Sequence, residues 1–257
     1  VIKNQKINKS LTHTNKLRFK IPIDLNRFLL STKISKIRRI AKYIIIDLDN
    51  KYSLIIHLGM SGRLKISTSE FIKTKHDHFI IIFSNNKKLI YNDPRKFGFI
   101  DITRTKNISK KRYITNLGID ALSKKLNHNL LYSIIKKSEV PIKQILLNQK
   151  IISGIGNIYA SEILFDAKIS PITSGKKLKI GHILKLVNSI RKILNKAIKF
   201  GGSSIRDYRS ADGTLGNFQS NFKVYGRDGE RVNNDKVIKI VQYGRSTFYC
   251  PKIQNNK

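Results

Sequence analysis

The apolar residues of this chain change their period once, and that change limits the fold more than any other feature. From about residue 43 to residue 102 they fall in short runs, Tyr43–Leu48, Tyr52–Leu58, His78–Phe83 and Lys88–Tyr91, rich in Ile, Leu, Tyr and Phe. Polar triplets, Asp49-Asn50-Lys51 and Ser84-Asn85-Asn86, separate them. Such runs between turn-forming residues predict antiparallel strands. After about residue 127 the spacing becomes helical, with Leu130, Leu131, Ile134 and Ile135 on one face. Pro141 opens a second short helix through Leu147, because its missing N–H is no loss at a helix start. A third helix runs from Gly156 to Ala167. Ile183, Val187, Ile190, Ile193, Leu194 and Ala197 mark a long amphipathic helix that stops at Gly201-Gly202. Beyond about residue 222 short strands return, at Phe222–Tyr225, Val237–Gln242 and Thr247–Cys250. Leu25–Leu30 reads as a short helix ahead of the sheet, and 103–126 as the hinge. The predicted class is α+β: an antiparallel β domain over residues 1–116, a helical domain over 117–221 and a β-hairpin over 222–257.

Charge narrows the function. The chain carries 51 Lys and Arg against 16 Asp and Glu, a formal charge of +35, yet 40% of its residues are apolar. The apolar share makes it a globular protein and not a disordered polycation. The imbalance points to a polyanion partner, because each phosphate neutralised releases counterions. Heavy use of Ile, Asn and Lys together offers a compositional bias as the alternative, but bias does not explain basic residues at motif positions. The single cysteine, Cys250, excludes an intrachain disulfide and a four-thiolate zinc site. It implies a reducing compartment. No apolar run approaches a membrane span and no signal peptide is visible, so the expected location is cytoplasmic.

The most specific string is Gly154-Ile155-Gly156-Asn157-Ile158-Tyr159-Ala160-Ser161-Glu162. Its glycines permit a tight turn between helices. The free N–H groups at the next helix start can then hold a phosphate. Lys150 precedes the turn and Asn157 follows it. A bare Gly-x-Gly is no more than a helix connection; the longer string says more.

That string resembles the helix–two-turn–helix of formamidopyrimidine-DNA glycosylases. Further strings resemble the same family, in its order and spacing. They are His57-Leu58-Gly59-Met60-Ser61-Gly62-Arg63-Leu64, Lys75-His76-Asp77-His78, Asn92-Asp93-Pro94-Arg95-Lys96-Phe97-Gly98, Gly201-Gly202-Ser203-Ser204 and Val224-Tyr225-Gly226-Arg227. The resemblance covers the chain from about residue 17. It implies an N-terminal β-sandwich, a helical domain and a hairpin finger, with damaged duplex DNA in a basic cleft between the domains. The activity implied is excision of oxidised purines, 8-oxoguanine and formamidopyrimidines, followed by strand cleavage at the abasic site. The HLGMSG and NDPRKFG strings favour this purine branch over the related endonuclease VIII branch. The implied protein is a bacterial, monomeric repair enzyme.

A base is processed only after leaving the stack, so the hole must be filled and the widowed partner satisfied. The resemblance gives that role to Met60, Arg95 and Phe97. Met60 is a flexible wedge, Phe97 a flat one, and Arg95 a planar fork of donors. Plain core packing is the alternative for Met60 and Phe97. His76, Arg95, Lys150, Asn157, Tyr225 and Arg245 match DNA-contacting positions. Lys42 matches a lysine that helps bind and process the lesion, and the catalytic set implied is Lys42 with Arg245. His57 and His78 are either further contacts or satisfied sheet histidines. Asp212, Gly213, Thr214 and Gly216 resemble the mobile loop that closes over the flipped base. Helix–two-turn–helix elements also occur in a ribosomal protein, which leaves an RNA-binding reading, and the wedge motifs argue against it.

Two departures matter. Family members usually carry four cysteines that hold zinc; the matching positions here look like Val232, Asp235, Cys250 and Ile253. One thiol cannot hold zinc in a tetrahedral site, so a zincless finger without cofactor is expected, with a decayed finger as the alternative. Family members also use an N-terminal proline followed by glutamate, a secondary amine that attacks the sugar and a carboxylate that moves protons. This chain opens Val1-Ile2-Lys3-Asn4, and alignment on Lys42 puts the missing stretch at roughly fifteen residues. Three readings follow: a fragment or misplaced start, a damaged-DNA binder without catalysis, or Lys42 as a substitute amine with Arg38 and Arg39 nearby.

Overall fold

The structure, a computed structural model, describes residues 2–68, 71–203 and 216–255. It divides into two compact units, residues 1–115 with 203–217 and residues 116–202 with 218–257. The terminal hairpin therefore groups with the helices.

In the first unit the strands are β1 (Ile7–Thr12), β2 (Ile34–Ile40), β3 (Tyr43–Leu48), β4 (Tyr52–His57), β5 (Arg63–Ser67), β6 (Asp77–Phe83), β7 (Lys88–Asn92) and β8 (Phe99–Arg104). Short helices are α1 (Leu25–Leu29) and α2 (Arg112–Thr115). The strands form two antiparallel sheets in the orders β1-β6-β7-β5 and β2-β3-β4-β8. Ile46, Leu54, Ile56, Phe79, Ile81 and Tyr91 bury one face of each sheet in a shared core, as a β-sandwich requires. Ile45 and Ile55 point to the other side of their sheet, where Ile108, Tyr113 and Ile114 cover them. Both faces of β3 and β4 are thus dry, which is why their sequences read as unbroken apolar runs.

The four strands legible in the sequence are the central ones, β3, β4, β6 and β7. The four that were not, β1, β2, β5 and β8, are the edges. Their exposed positions carry Lys9, Lys36, Arg39 and Arg104, polar side chains that blunt a sheet edge and dilute the apolar signal.

The second unit holds β9 (Ile119–Asp120), α3 (His128–Ile135), α4 (Ile142–Leu147), β10 (Ile152–Ser153), α5 (Asn157–Asp166) and α6 (Ile180–Lys199). After them come β11 (Arg231–Val232), β12 (Asp235–Lys236), β13 (Ile238–Gln242) and β14 (Arg245–Tyr249). One core runs from Ala121 to Phe222 and takes in the apolar stripe of α6. That helix ends as expected, with Gly201 and Gly202 at φ +70° and +85°.

The boundary between the two units, at 115/116, falls within the expected hinge over 103–126. That segment also carries structure of its own: the end of β8, a 3-10 helix over Thr105–Lys110, α2 and β9, which pairs in parallel with β10. One expectation needs correction. Phe222–Tyr225 is not a strand. Its backbone N–H groups at Lys223, Val224 and Tyr225 donate instead to the Glu162 carboxylate at 2.8, 3.0 and 2.9 Å.

Candidate nucleic-acid interface

In the first unit one buried carboxylate gathers three loops. Asp93 is wholly buried just past β7. Its carboxylate accepts from Ser61 Oγ at 2.6 Å, Tyr91 OH at 3.1 Å and the Gly98 N–H at 2.8 Å. Ser61 Oγ in turn accepts from the Arg95 N–H at 3.2 Å. Asp93 donates its own N–H to the His76 carbonyl at 3.0 Å, and its carbonyl accepts from His78 Nε2 at 3.0 Å. The loop bearing Met60, the loop bearing Arg95 and Phe97, and the turn bearing His76 are therefore one rigid assembly. Close backbone approach helps. A Cβ on Gly59, at φ +64°, would lie 2.5 Å from the Phe97 carbonyl carbon, and one on Gly98 would lie 2.3 Å from the His57 oxygen.

What this assembly presents is apolar and cationic. Met60 is 70% exposed and Phe97 45% exposed, so neither is core. The Arg95 guanidinium carbon lies 4.5 Å from the centre of the Phe97 ring, a cation–π contact that leaves the donors outward. The His76 turn is pinned by Asp77, which accepts from the Thr74 N–H at 2.7 Å, Thr74 Oγ1 at 2.6 Å and Asn92 Nδ2 at 2.8 Å. Burial alone would raise the Asp77 carboxyl, but these hydrogen bonds outweigh it and hold it below the usual range.

His57 and His78 resolve as satisfied sheet histidines. His57 packs against the rings of Tyr43 and Phe99, which also touch each other, and its Nδ1 accepts from the Gly59 N–H at 3.1 Å. Burial, with the charges of Arg18 and Lys42 nearby, pushes its pKa down to about 4, so the ring is neutral at neutral pH. Burial likewise lowers His78. Lys42 is exposed at the start of β3, after Ala41 at φ +50°. Arg38 is no neighbour of the kind expected there. It pairs with Asp47 through two hydrogen bonds of 2.7 and 3.1 Å, and Arg39 Nη1 donates to the Ala41 carbonyl at 2.8 Å.

The second unit carries the other half of the expected residues. Gln149 shapes the two-turn: its Nε2 donates to the carbonyls of Leu147 and Ile155 at 3.0 Å each, and its Oε1 accepts from the Gly154 N–H at 2.9 Å. Lys150 is exposed on that turn. Asn157 begins α5 behind Gly156, and its Nδ2 donates to the Ser246 carbonyl at 3.0 Å. Arg245 stands next to that carbonyl at the start of β14, exposed, after a turn in which Tyr243 and Gly244 have φ +50° and +72°. Tyr225 is half-buried against Phe248 and Phe222, held by Glu162. Lys150, Asn157, Tyr225 and Arg245 thus sit on a frame tied by side-chain hydrogen bonds. Of the expected lesion loop, Asp212, Gly213 and Thr214 lie outside the described residues, and Gly216 is buried at the edge of the described segment.

At the four finger positions, Val232 and Cys250 are buried with Val224, Val237 and Phe248, and Ile253 packs on them. Asp235 bonds to backbone: its carboxylate accepts from the N–H groups of Lys236, Lys252 and Ile253 at 2.8, 2.7 and 3.1 Å. Val232 and Ile253 offer no ligating atom, and burial pushes the Cys250 thiol up to about 11, away from the thiolate that zinc requires. This residue set does not fit a zinc ion.

Sequence reasoning missed Asp93, Glu162, Gln149 and Lys143. The first three lie inside or beside recognised motifs. Lys143 lies on a six-residue helix whose Ile142, Ile145 and Leu146 are also buried, so nothing local separates it from a solvated lysine.

Comparison with known proteins places these features. A sequence model of the formamidopyrimidine-DNA glycosylase N-terminal domain matches residues 1–100, and one of the formamidopyrimidine-DNA glycosylase H2TH domain matches residues 117–209. The formamidopyrimidine-DNA glycosylase of Roseobacter denitrificans is 40% identical over 250 residues, covering 93% of this chain and 88% of that protein. A Lactococcus lactis Fpg variant in complex with Fapy-dG-containing DNA superposes with a TM-score of 0.92 at 34% identity, covering 99% of this chain and 94% of the other. The Lactococcus lactis Fpg complex with DNA containing an abasic site gives 0.91 at 34% identity, with the same coverage.

Proposed function

Because the chain belongs to the formamidopyrimidine-DNA glycosylase family, DNA glycosylases for damaged bases, we propose that it excises 8-oxoguanine and formamidopyrimidines from duplex DNA and then nicks the abasic site by β,δ-elimination. The observation that carries this reading is the exposed Met60, Arg95 and Phe97 on a frame set by one buried carboxylate. An extruded nucleotide leaves a hole that is apolar above and below and polar at the widowed base. Met60 and Phe97 supply the apolar surfaces, and the Arg95 donors meet the widowed base. His76, Lys150, Asn157, Tyr225 and Arg245 take the DNA backbone, and Lys42 supplies an amine for lesion binding and processing. The bound DNA of the Lactococcus lactis complexes, one with Fapy-dG and one with an abasic site, supports the lesion class. The same reading has the protein act as a monomer in the bacterial cytoplasm, in keeping with its bacterial relatives. No described helix is long and apolar enough to cross a membrane.

Arg95→Ala tests the recognition half. Binding to an abasic-site duplex should weaken by about tenfold or more, a loss of about 1–3 kcal/mol, while intact duplex loses much less. Equal losses on both would sink the role. Borohydride trapping on the same duplex tests the chemical half. A covalent adduct supports excision and cleavage. Tight binding without an adduct replaces them with a non-catalytic damaged-DNA-binding protein.

The finger, in this reading, needs no metal. Asp235 bonds across the hairpin and the C-terminal turn where a zinc ion would otherwise join them. Chelator treatment should leave both Tm and DNA binding unchanged, and elemental analysis should find no stoichiometric zinc. A Tm that falls on chelation would overturn this.

A further inference from the structure

We propose that Lys143 is a positioning residue of the DNA-binding site, a buried cation that holds Arg245 toward the DNA backbone from beneath the hairpin. The proposal rests on the reading of Arg245 and Asn157 as phosphate contacts.

Lys143, the second residue of α4, is wholly buried. Its Nζ donates to the Ser246 carbonyl at 3.0 Å and to Thr247 Oγ1 at 2.6 Å. The groups around it come from three elements: Asn157 on α5, Gln242 on β13, and Arg245, Ser246 and Thr247 on β14. No acidic side chain among the described residues pairs with it. An ammonium buried without a counter-ion costs stability.

Neither acceptor needs it. The Ser246 carbonyl also accepts from Asn157 Nδ2 at 3.0 Å, and the Thr247 hydroxyl donates to Gln242 Oε1 at 2.9 Å. A methionine at 143 would leave both groups hydrogen-bonded, so polar satisfaction does not explain the charge. Electrostatics makes the placement stranger in the free protein. Burial first, then the like charge of Arg245, pushes the Lys143 pKa down to about 8. A phosphate at Arg245 reverses the sign: the same two cations then share one anion, and the charge of buried Lys143 is little screened by water. The liability in the free protein becomes binding energy in the complex. Geometry adds direction. Lys143 and Asn157 grip one carbonyl, at Ser246, and Arg245 is the next residue toward the turn, with its side chain exposed. Rotation of the hairpin about its turn would break both bonds.

The test is a salt titration of abasic-duplex binding for wild type, Lys143→Met, Arg245→Ala and the double variant, with Tm measured on each. Lys143→Met should keep or raise Tm, weaken binding by about tenfold, and lower the slope of log K against log salt by about 0.9, as losing one phosphate contact does. The double variant should bind like Arg245→Ala. Lys143→Arg should restore most of the slope. An unchanged slope, or losses that multiply in the double variant, would overturn the proposal. So would a Tm that falls in step with affinity, which is the mark of a merely structural lysine. If Lys143→Met does not fold, Lys143→Gln, which keeps a donor but no charge, carries the same expectations. A silent Arg245→Ala removes the reading of the phosphate site and this proposal with it. A lowered slope in Arg245→Ala with none in Lys143→Met removes this proposal alone.

Discussion

Asp93→Ala should lower the unfolding free energy by about 3–5 kcal/mol and abolish the preference for lesion-containing over intact duplex. The stability figure takes roughly 1–3 kcal/mol for each buried donor left without an acceptor and allows for relaxation. Those donors are Ser61 Oγ, Tyr91 OH and the Gly98 N–H, and Asp93 is wholly buried, so water does not replace the carboxylate. The functional loss follows from connectivity. Ser61 releases the Arg95 backbone, and the loops bearing Met60 and Phe97 lose the bond that registers them. Asp93→Asn should behave similarly, because its amide turns a donor toward a donor. Urea denaturation and gel-shift competition between abasic and intact duplex read both effects. The comparison with Arg95→Ala is informative: that variant should lose discrimination while keeping stability, because Arg95 is exposed. An Asp93→Ala protein of ordinary stability that still prefers damaged duplex would refute the claim that one carboxylate organises the wedge.

The second large effect is expected at Glu162. This carboxylate, only 2% exposed on α5, accepts three successive backbone N–H groups, at Lys223, Val224 and Tyr225. No ladder or turn satisfies those groups otherwise. Glu162→Ala should cost about 3 kcal/mol or more, a fall in Tm of roughly 6–12 °C for a chain of this size. It should also weaken DNA binding, since Tyr225 loses its anchor and its ring packs on Phe248 of the hairpin. Glu162→Gln gives a graded check. Its remaining carbonyl oxygen, placed where Oε1 stands, keeps the bonds from Val224 and Tyr225 and gives up the one from Lys223. About half the loss is expected. A Glu162→Gln protein as damaged as Glu162→Ala would show that charge, and not acceptor count, holds the segment.

Much of the fold was legible, and the pattern of what was not has a cause. Strands β3, β4, β6 and β7 announced themselves because neighbours cover them on both sides, and burial demands apolar residues. The edge strands β1, β2, β5 and β8 did not, because half of each faces water and carries Lys, Arg, Ser or Thr. Helices α1 and α3 to α6 were legible, down to the stop at Gly201 and Gly202, because a 3.6-residue stripe and a left-handed cap are written in adjacent residues; α2, four residues with none buried, carries no such stripe. Phe222–Tyr225 misled for the opposite reason. Its apolar residues look like a strand, but they serve two cores, Phe222 in one and Val224 in the other, and a distant carboxylate takes its N–H groups. At the site, the exposed actors were named from motifs. His57 and His78 stayed undecided until their surroundings were known.

The sequence by itself determined the class, the long helices and the central strands, and the order of the motifs, because these follow from chemistry shared among neighbours along the chain. The choice of Met60, Arg95 and Phe97 came from the family resemblance that those motifs carry. Only the tertiary structure decided which charges are buried and what they hold. Asp93 meets Ser61 across 32 positions, Glu162 meets Val224 across 62, and Lys143 meets Thr247 across 104. A charged side chain reads as solvated in any local window. Whether it faces water or a row of donors is fixed by segments far away in sequence, and folding alone brings them together.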